Sequence, residues 1–405
     1  MYETEPPPQT LQGLPARRKS LQGRPFRILP VVTPWIRTPE ALADLARSLA
    51  GCRTIALDTE SDSLYHHFEK VCLVQIATDR GDAVLVDPLA VRDLSPLGPA
   101  LANPDITKVL HGADYDVTTL KRDFGFTFES LFDTMIAARF LGMPGIGLAA
   151  VAEAELGVTL SKANQKDDWS RRPLTPKQEA YALADVQHLA VLRERLEAKL
   201  EEKGRLEWVR EECEAVAALQ PQPRRRNPDA YLGVKGARRL RPRQLAALRE
   251  LYAWRESRAE QTDRPGFKIL GNEMLRKLAE RRPRTLPELR HVPGILPRLR
   301  GQADDILSAL RRAAELPDSG LPVIPRSPRP EISTEVMQRA ARLKEWRTRR
   351  GPELKVDVSV VLPQRLIDRL AAAGPRDEAG LAGIEGLRRW RIDAFGDDLL
   401  AALAA

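Results

Sequence analysis

Two carboxylates, two residues apart, close a short apolar run: Ile55, Ala56 and Leu57 lead into Asp58, Thr59 and Glu60. In an extended segment residues i and i+2 share a face, so a strand ending here presents Asp58 and Glu60 side by side. Such a pair repels itself unless a cation sits between, and a divalent ion that takes oxygen ligands, Mg²⁺ or Mn²⁺, meets that need. The alternative for this stretch alone is that Glu60 faces solvent and Asp58 caps a turn, a role Asp favours. A second acidic position follows in His111-Gly-Ala-Asp-Tyr-Asp116, where a strand end runs into a helix. Asp114 and Asp116 are both candidates there, and Asp114 is the one expected to cap the helix. The third is Tyr181-Ala-Leu-Ala-Asp185. Residues i and i+4 lie on one helix face, so the hydroxyl and the carboxylate point into one space. Asp185 sits among Ala182, Leu183, Ala184 and Val186, where a lone charge would be costly to bury.

The elements that must carry these groups read as strands followed by helices. Helical spacing covers Pro39 to Leu49. After the strand at Ile55, β-branched runs cover Val71 to Ala77 and Ala83 to Asp87, and Thr107 to His111 is a fourth strand. Helices are expected from near Asp114 through Leu120, from Phe132 to Leu141, and almost continuously from Pro176 to about Ala218. Three strands in succession imply an antiparallel or mixed start to the sheet, and the whole implies an α/β layered domain.

At 405 residues the chain exceeds one ordinary core, so two or three domains are expected. Hydrophobic residues at 43% and charged residues at 30% fit a soluble globular protein. The longest apolar runs, such as Ile146 to Ala152, fall well short of the roughly 20 residues that cross a bilayer. Residues 1–34 lack periodicity and an apolar signal segment and carry Arg17, Arg18 and Lys19 among prolines, so a flexible arm and a cytoplasmic location are expected. Cys52, Cys72 and Cys213 are widely spaced and read as reduced core thiols.

The net charge of +8 is unevenly spread. Residues 1–220 carry −6, whereas 221–240 carry +5 and 241–315 carry +7. Such a split suits a metal-binding catalytic domain beside a module for a polyanion. Pro-rich linkers at 220–240 and 316–332 bracket two segments, 241–315 and 333–405, that repeat each other at a constant offset of 92. The offset relates Trp254 to Trp346, Arg255 to Arg347, Leu278 to Leu370, Gly294 to Gly386 and Leu307 to Leu399. Each copy reads as a small helical bundle. Arg276, Arg281, Arg282, Arg298 and Arg300 of the first correspond to Asp368, Ala373, Gly374, Trp390 and Ile392, so only the first keeps a basic face.

Taken together, Leu57-Asp-Thr-Glu60, Val71-Cys-Leu-Val-Gln-Ile76, His111 to Asp116, Phe132-Asp-Thr134, Asp168-Trp-Ser-Arg-Arg-Pro173 and Tyr181-Ala-Leu-Ala-Asp185 resemble the ribonuclease D family. That family belongs to the DEDD exonuclease superfamily, in the subclass with a catalytic Tyr. The resemblance covers roughly residues 35–215. The two repeats resemble HRDC domains, named for helicases and ribonuclease D. The fold implied is a ribonuclease H-like mixed sheet with flanking helices at 35–219, followed by two small all-α domains. The chemistry implied is metal-dependent hydrolysis of RNA from its 3′ end to nucleoside 5′-monophosphates. Asp58, Glu60, Asp116 and Asp185 would ligate two divalent ions, Mg²⁺ or Mn²⁺, and Tyr181 would orient the attacking water or assist its deprotonation. Trimming of tRNA precursors and other structured RNAs by a monomer, with no membrane partner, is the corresponding role.

Other residues are weighed against simpler uses. His111 is expected to be a hydrogen-bonded structural His, and Asp133 a helix cap rather than a fifth ligand. His188 follows Asp185 instead of preceding it and is set aside. Lys162, Gln165, Trp169 and Arg172 either touch substrate or hold the last helix in place, and the five arginines of the first repeat are candidates for phosphate contacts. The absence of a G-x-x-x-x-G-K-[ST] phosphate loop excludes a helicase. The rivals are an exonuclease acting on DNA, distinguished by contacts to the 2′-OH, and a catalytically silent RNA-binding protein.

Overall fold

The computed structural model describes residues 35–161, 163–223, 227–295, 301–324 and 333–404. The expected N-terminal arm, Lys162, Arg298 and Arg300 lie outside the described residues.

The N-terminal half is built on one six-stranded sheet. In chain order its elements are β1 (Trp35–Ile36), α1 (Pro39–Leu49), β2 (Thr54–Ser61), β3 (Val71–Thr78), β4 (Ala83–Val86), α2 (Gly98–Leu101), β5 (Thr107–Leu110), α3 (Asp114–Phe124), β6 (Leu131–Asp133), α4 (Thr134–Leu141), α5 (Leu148–Leu156), α6 (Pro176–Gln187), α7 (Leu189–Glu202) and α8 (Leu206–Ala217). The strand order is β1-β4-β3-β2-β5-β6. β2, β3 and β4 form an antiparallel meander, and β5 and β6 join parallel to β2, so the sheet is mixed as expected. β2 lies between β3 and β5, which buries Ile55, Ala56 and Leu57 and leaves Asp58 and Glu60 at its C-terminal end.

Three elements differ from the sequence reading. Leu131–Asp133 is a strand, not the start of a helix. Three residues buried on every side give no alternation to read, and Asp133 ends the strand by capping the helix that follows. β1, at two residues, is likewise too short to register. α5, which takes up Leu148 to Ala152 of the apolar run from Ile146, is an element that the sequence reading does not assign.

The two repeats match element for element. The first holds α9 (Pro242–Thr262), α10 (Gly266–Ile269), α11 (Asn272–Arg281), α12 (Leu286–Arg290) and α13 (Ala303–Glu315). The second holds α14 (Thr334–Leu354), α15 (Val358–Val361), α16 (Gln364–Ala373), α17 (Glu378–Ala382) and α18 (Arg389–Ala404). The first four helices of each begin 92 residues apart. Even a side-chain bond repeats: Arg255 Nη1 donates to the Leu270 carbonyl at 3.3 Å, and Arg347 Nη1 to the Leu362 carbonyl at 2.9 Å.

The expected linker at 220–240 is shorter than proposed. Tyr231, Val234, Ala237 and Leu240 are buried in the core of the first repeat. They recur every third residue across two short 3₁₀ turns, Ala230–Gly233 and Ala237–Arg239, and a helix of three residues per turn places such positions on one face.

The copies use their surfaces differently. The first repeat has its own core, whereas the apolar interior of the second is continuous with that of the N-terminal half. Trp390 stacks on Trp208 of α8 at 4.6 Å and meets Phe140 edge-on at 5.4 Å. Glu211 accepts the backbone N–H groups of Arg389 and Trp390 at 2.6 and 2.8 Å, capping α18 from α8. Arg391 is buried and bonds Glu212 at 2.6 Å. Arg205 donates to carbonyls in the last turns of two helices, Phe140 of α4 and Leu354 of α14, each at 2.7 Å. A Cβ on Gly142 would run into the Lys355 carbonyl, so this docking needs glycine there. Of the positions at which the first copy carries its five arginines, Trp390 docks on α8, whereas Asp368 and Ala373 are exposed.

Candidate active site

Three of the four expected carboxylates meet at one point. Oxygens of Asp58, Glu60 and Asp185 lie within 4.8 Å of one another. Asp58 and Glu60 arrive by the alternation of β2, opposite Gln75 and Leu73 of β3. The pairing slips by one residue between Glu60 and Ser61, so the ladder ends where the acidic pair is delivered. Asp185 arrives from α6, which covers this face of the sheet. Tyr181, Ala182 and Leu183 share a buried cluster with Leu73, Leu85, Trp169 and Leu174.

Asp116 completes the group from the first turn of α3. It is buried, and its carboxylate accepts a hydrogen bond from the hydroxyl of Thr59, the residue between the two acids of β2. It stands beside the cluster rather than in it, and its charge acts on both Asp58 and Glu60.

The electrostatics follow from burying like charges together. Burial, then the charges of Asp116, Glu60 and Asp185, holds the Asp58 carboxyl well above the usual range. Burial and the charges of Asp185, Asp116 and Asp167 push Glu60 up to about 9. Asp116 and Asp185 rise to about 6, chiefly through burial. The Tyr181 phenol is pushed up by burial and by Asp185, and hydrogen bonding to it draws Asp185 part-way back. A set of carboxylate oxygens that repel one another is what a hard divalent cation neutralises, and the three clustered acids could hold such an ion.

The supporting residues fix α6 and the strand–helix turns. Thr175 and Gln178 form a capping box with Pro176 at the first helical position. Arg172 grips Asp87 with two bonds of 2.8 Å and donates to the carbonyls of Cys72 (2.7 Å), Trp169 and Arg171 (2.8 Å each). With its donors engaged this way, Arg172 anchors the loop before α6 and is not available to substrate. Trp169 is 1% exposed and packs 6.0 Å from the Tyr181 ring, which is also structural. Gln165 is exposed.

Asp133 accepts the backbone N–H groups of Gly112, Ala113, Met135 and Ile136 at 2.7–3.2 Å, the capping role expected of it. That grip organises the turn into α3, so Asp114 is exposed at the first helical position and caps nothing. His111 is held by Thr134 at 2.9 Å, and His188 by Gln187 at 2.9 Å. The three cysteines are free and buried, and Cys213 Sγ accepts the Asp133 N–H at 3.2 Å.

Residues the sequence reading missed order the loop between β2 and β3. Asp62 is fully buried and accepts Lys70 N at 2.9 Å and Lys70 Nζ at 2.5 Å. His66 contacts Ser170 at 3.2 Å and, across the domain boundary, Asp263 of the first repeat at 2.7 Å. A third acidic residue at an even spacing from Asp58 was the available signal for Asp62. Nothing local announces the His66–Asp263 contact, which spans 197 positions. On the first repeat, Arg281 and Arg282 are exposed at the end of α11, while Arg276 is half-buried and paired with Glu280.

A 3′–5′ exonuclease domain model matches residues 33–201, and an HRDC domain model matches 244–310 and 337–403. Ribonuclease D of Pseudomonas paraeruginosa is 34% identical over 374 residues, 91% of this chain and 97% of that protein. The chain belongs to the ribonuclease D family. Ribonuclease D of Escherichia coli is 34% identical over 288 residues, covering 71% of this chain and 76% of the relative. The crystal structure of Escherichia coli RNase D, described as an exoribonuclease involved in structured RNA processing, superposes with a TM-score of 0.65 at 29% identity, covering 92% of this chain and 99% of that one. A protein from Bifidobacterium adolescentis superposes with a TM-score of 0.78 at 26% identity over 92% and 97% of the two chains. Members of the ribonuclease D family are 3′–5′ exoribonucleases, and this chain is an enzyme of that class. No helix among its described residues is long and apolar enough to cross a membrane.

Proposed function

We propose that this exoribonuclease removes nucleoside 5′-monophosphates one at a time from RNA, with Asp58, Glu60, Asp116 and Asp185 holding two divalent cations, Mg²⁺ or Mn²⁺. The observation that carries this reading is the convergence of Asp58, Glu60 and Asp185 within 4.8 Å, with Asp116 beside them. Bound cations would supply charge neutralisation at the scissile phosphate and an acidified water. The protein's part is positioning. β2 holds Asp58 and Glu60 on one face, Thr59 fixes the Asp116 carboxylate, and α6 sets Asp185 one turn from Tyr181. Tyr181, one turn from Asp185 on α6, orients the attacking water through its hydroxyl or assists its deprotonation.

The polypeptide divides into a catalytic domain at 35–219 and two helical domains that follow. Arg281 and Arg282 of the first, with Arg276, Arg298 and Arg300, supply the phosphate contacts. Precursor tRNAs and other structured RNAs with single-stranded 3′ ends are the substrates, in the cytoplasm, and the protein acts as a monomer. The test is release of nucleoside monophosphates from a short 3′-hydroxyl RNA in Mg²⁺ or Mn²⁺, with the matching DNA in parallel. Wild type should release them from RNA, and Asp58→Ala and Asp185→Ala should not while remaining folded. Metal-dependent hydrolysis retained by either variant would remove the proposal.

A further inference from the structure

Among the described residues three aromatic side chains stand well out into solvent: Phe68 at 53%, Tyr115 at 43% and Phe267 at 56%. They come from three elements and two domains: Tyr115 adjoins Asp116, and Tyr65, on the loop that carries Phe68, donates to the carbonyl of Lys166, next to Asp167, whose charge acts on Glu60. Tyr115 opens α3, and its hydroxyl lies 2.9 Å from Ser61 Oγ, the residue after Glu60. Phe68 is on the loop between β2 and β3, and its backbone N–H donates to Asp263 of the first repeat at 2.9 Å. Phe267 is four residues beyond Asp263, on α10. The next residue, Lys268, places its Nζ 3.6 Å over the ring of Tyr65, on the same loop as Phe68.

The chemistry of this rim selects its occupant. The rings are separate rather than contiguous, and exposed cations, Arg264 and Lys268, sit on either side of Phe267. Phe68 meets His67 edge-on at 4.9 Å, and rings spaced between positive charges suit a chain of planar bases joined by phosphates, because every base has a face to stack and every linkage a charge to meet. A flat apolar protein partner would instead require one continuous patch. The pairing of His66 with Asp263, at 2.7 Å, holds the two domains together at this rim.

We propose that Phe68, Tyr115 and Phe267 form a stacking site for bases of the single-stranded RNA segment immediately upstream of the nucleotide being removed. This rests on the exoribonuclease reading and adds to it the path of the substrate across the boundary between catalytic domain and first repeat. The site is tolerant of sequence, since stacking reads no base edge, and it favours substrates with several unpaired nucleotides at the 3′ end.

The experiment compares full-length wild type, Phe267→Ala, Tyr115→Ala and, as a control, Met337→Ala, which trims an apolar side chain 54% exposed on the second repeat. Hydrolysis is measured on a single strand of about twelve nucleotides and on a dinucleotide. Stacking is read from 2-aminopurine placed a few positions from the 3′ end, with Ca²⁺ replacing the catalytic ions. Each ring variant should raise KM for the long strand about tenfold, raise it for the dinucleotide far less, and lose the fluorescence quenching seen with wild type. Met337→Ala should match wild type. An unchanged KM on the long strand, quenching that persists without the rings, or equal losses on both substrates would overturn the proposal. Wild type failing to cut either RNA would instead sink the exoribonuclease reading itself.

Discussion

Glu60→Gln should make the metal-free protein more stable while abolishing hydrolysis. The unfolded chain ionises this carboxyl near 4.5, and burial beside Asp185 and Asp116 pushes it up to about 9 in the folded protein. Between those values the folded state binds the extra proton, so stability falls as pH rises from about 4.5 through about 9. At pH 7 the interval of 2.5 pH units above the ordinary value of 4.5 corresponds to about 3 kcal/mol at about 1.4 kcal/mol per unit. Part of the relief passes to Asp58 and Asp185, which share the site, so a gain of roughly 1–3 kcal/mol is expected. Gln keeps the shape and removes the charge. The assay is urea unfolding in a chelator at pH 5, 7 and 9, repeated with saturating Mg²⁺. The advantage of Glu60→Gln should be small at pH 5, grow with pH, and reverse when Mg²⁺ is present, because only wild type gains the full ligand set. A variant less stable than wild type in chelator at pH 7 to 9, or a gain indifferent to pH, would refute the electrostatic account of this site.

Tyr181→Phe should lower kcat about 10- to 100-fold with KM nearly unchanged in steady-state digestion of RNA; an unaltered rate would leave Tyr181 as packing alone. Mg²⁺ binding at pH 7 should release about one proton, chiefly from Glu60, measured by calorimetry in buffers of different ionisation heat. Zero release would contradict the raised carboxyls. Trp390→Ala removes a ring that is 4% exposed and stacked on Trp208, and should cost about 3–5 kcal/mol in urea unfolding. A loss under about 1 kcal/mol would mean that the stack does not hold the second repeat. Arg281→Gln with Arg282→Asn, the latter chosen because position 282 has φ +48°, should reduce the salt slope of RNA binding by about 1.4. An unchanged slope would move the phosphate contacts elsewhere.

Much of the site was legible because chemistry and periodicity coincide in it. The two-residue spacing of Asp58 and Glu60 and the four-residue spacing of Tyr181 and Asp185 encode their faces directly, and the constant offset of 92 encodes the repeat down to individual helix starts. What escaped was written in tertiary contacts. Arg172 and a substrate-binding Arg look alike in sequence, and only the proximity of Asp87 decides between them. Asp114 reads as a cap until Asp133, from 19 residues away, takes over the N–H groups before α3. The period-three spacing of Tyr231, Val234, Ala237 and Leu240 was visible, but the prolines and arginines around it favoured a linker.

The shared interior of catalytic half and second repeat has a consequence for the nascent polypeptide. Trp208 leaves the ribosome 182 residues before Trp390 does. At about 5–20 residues per second, that leaves its ring without its stacking partner for roughly 10–35 s of synthesis. During that interval the newborn nuclease carries an apolar face ready for a chaperone, and it becomes fully enclosed only when its last helix is made.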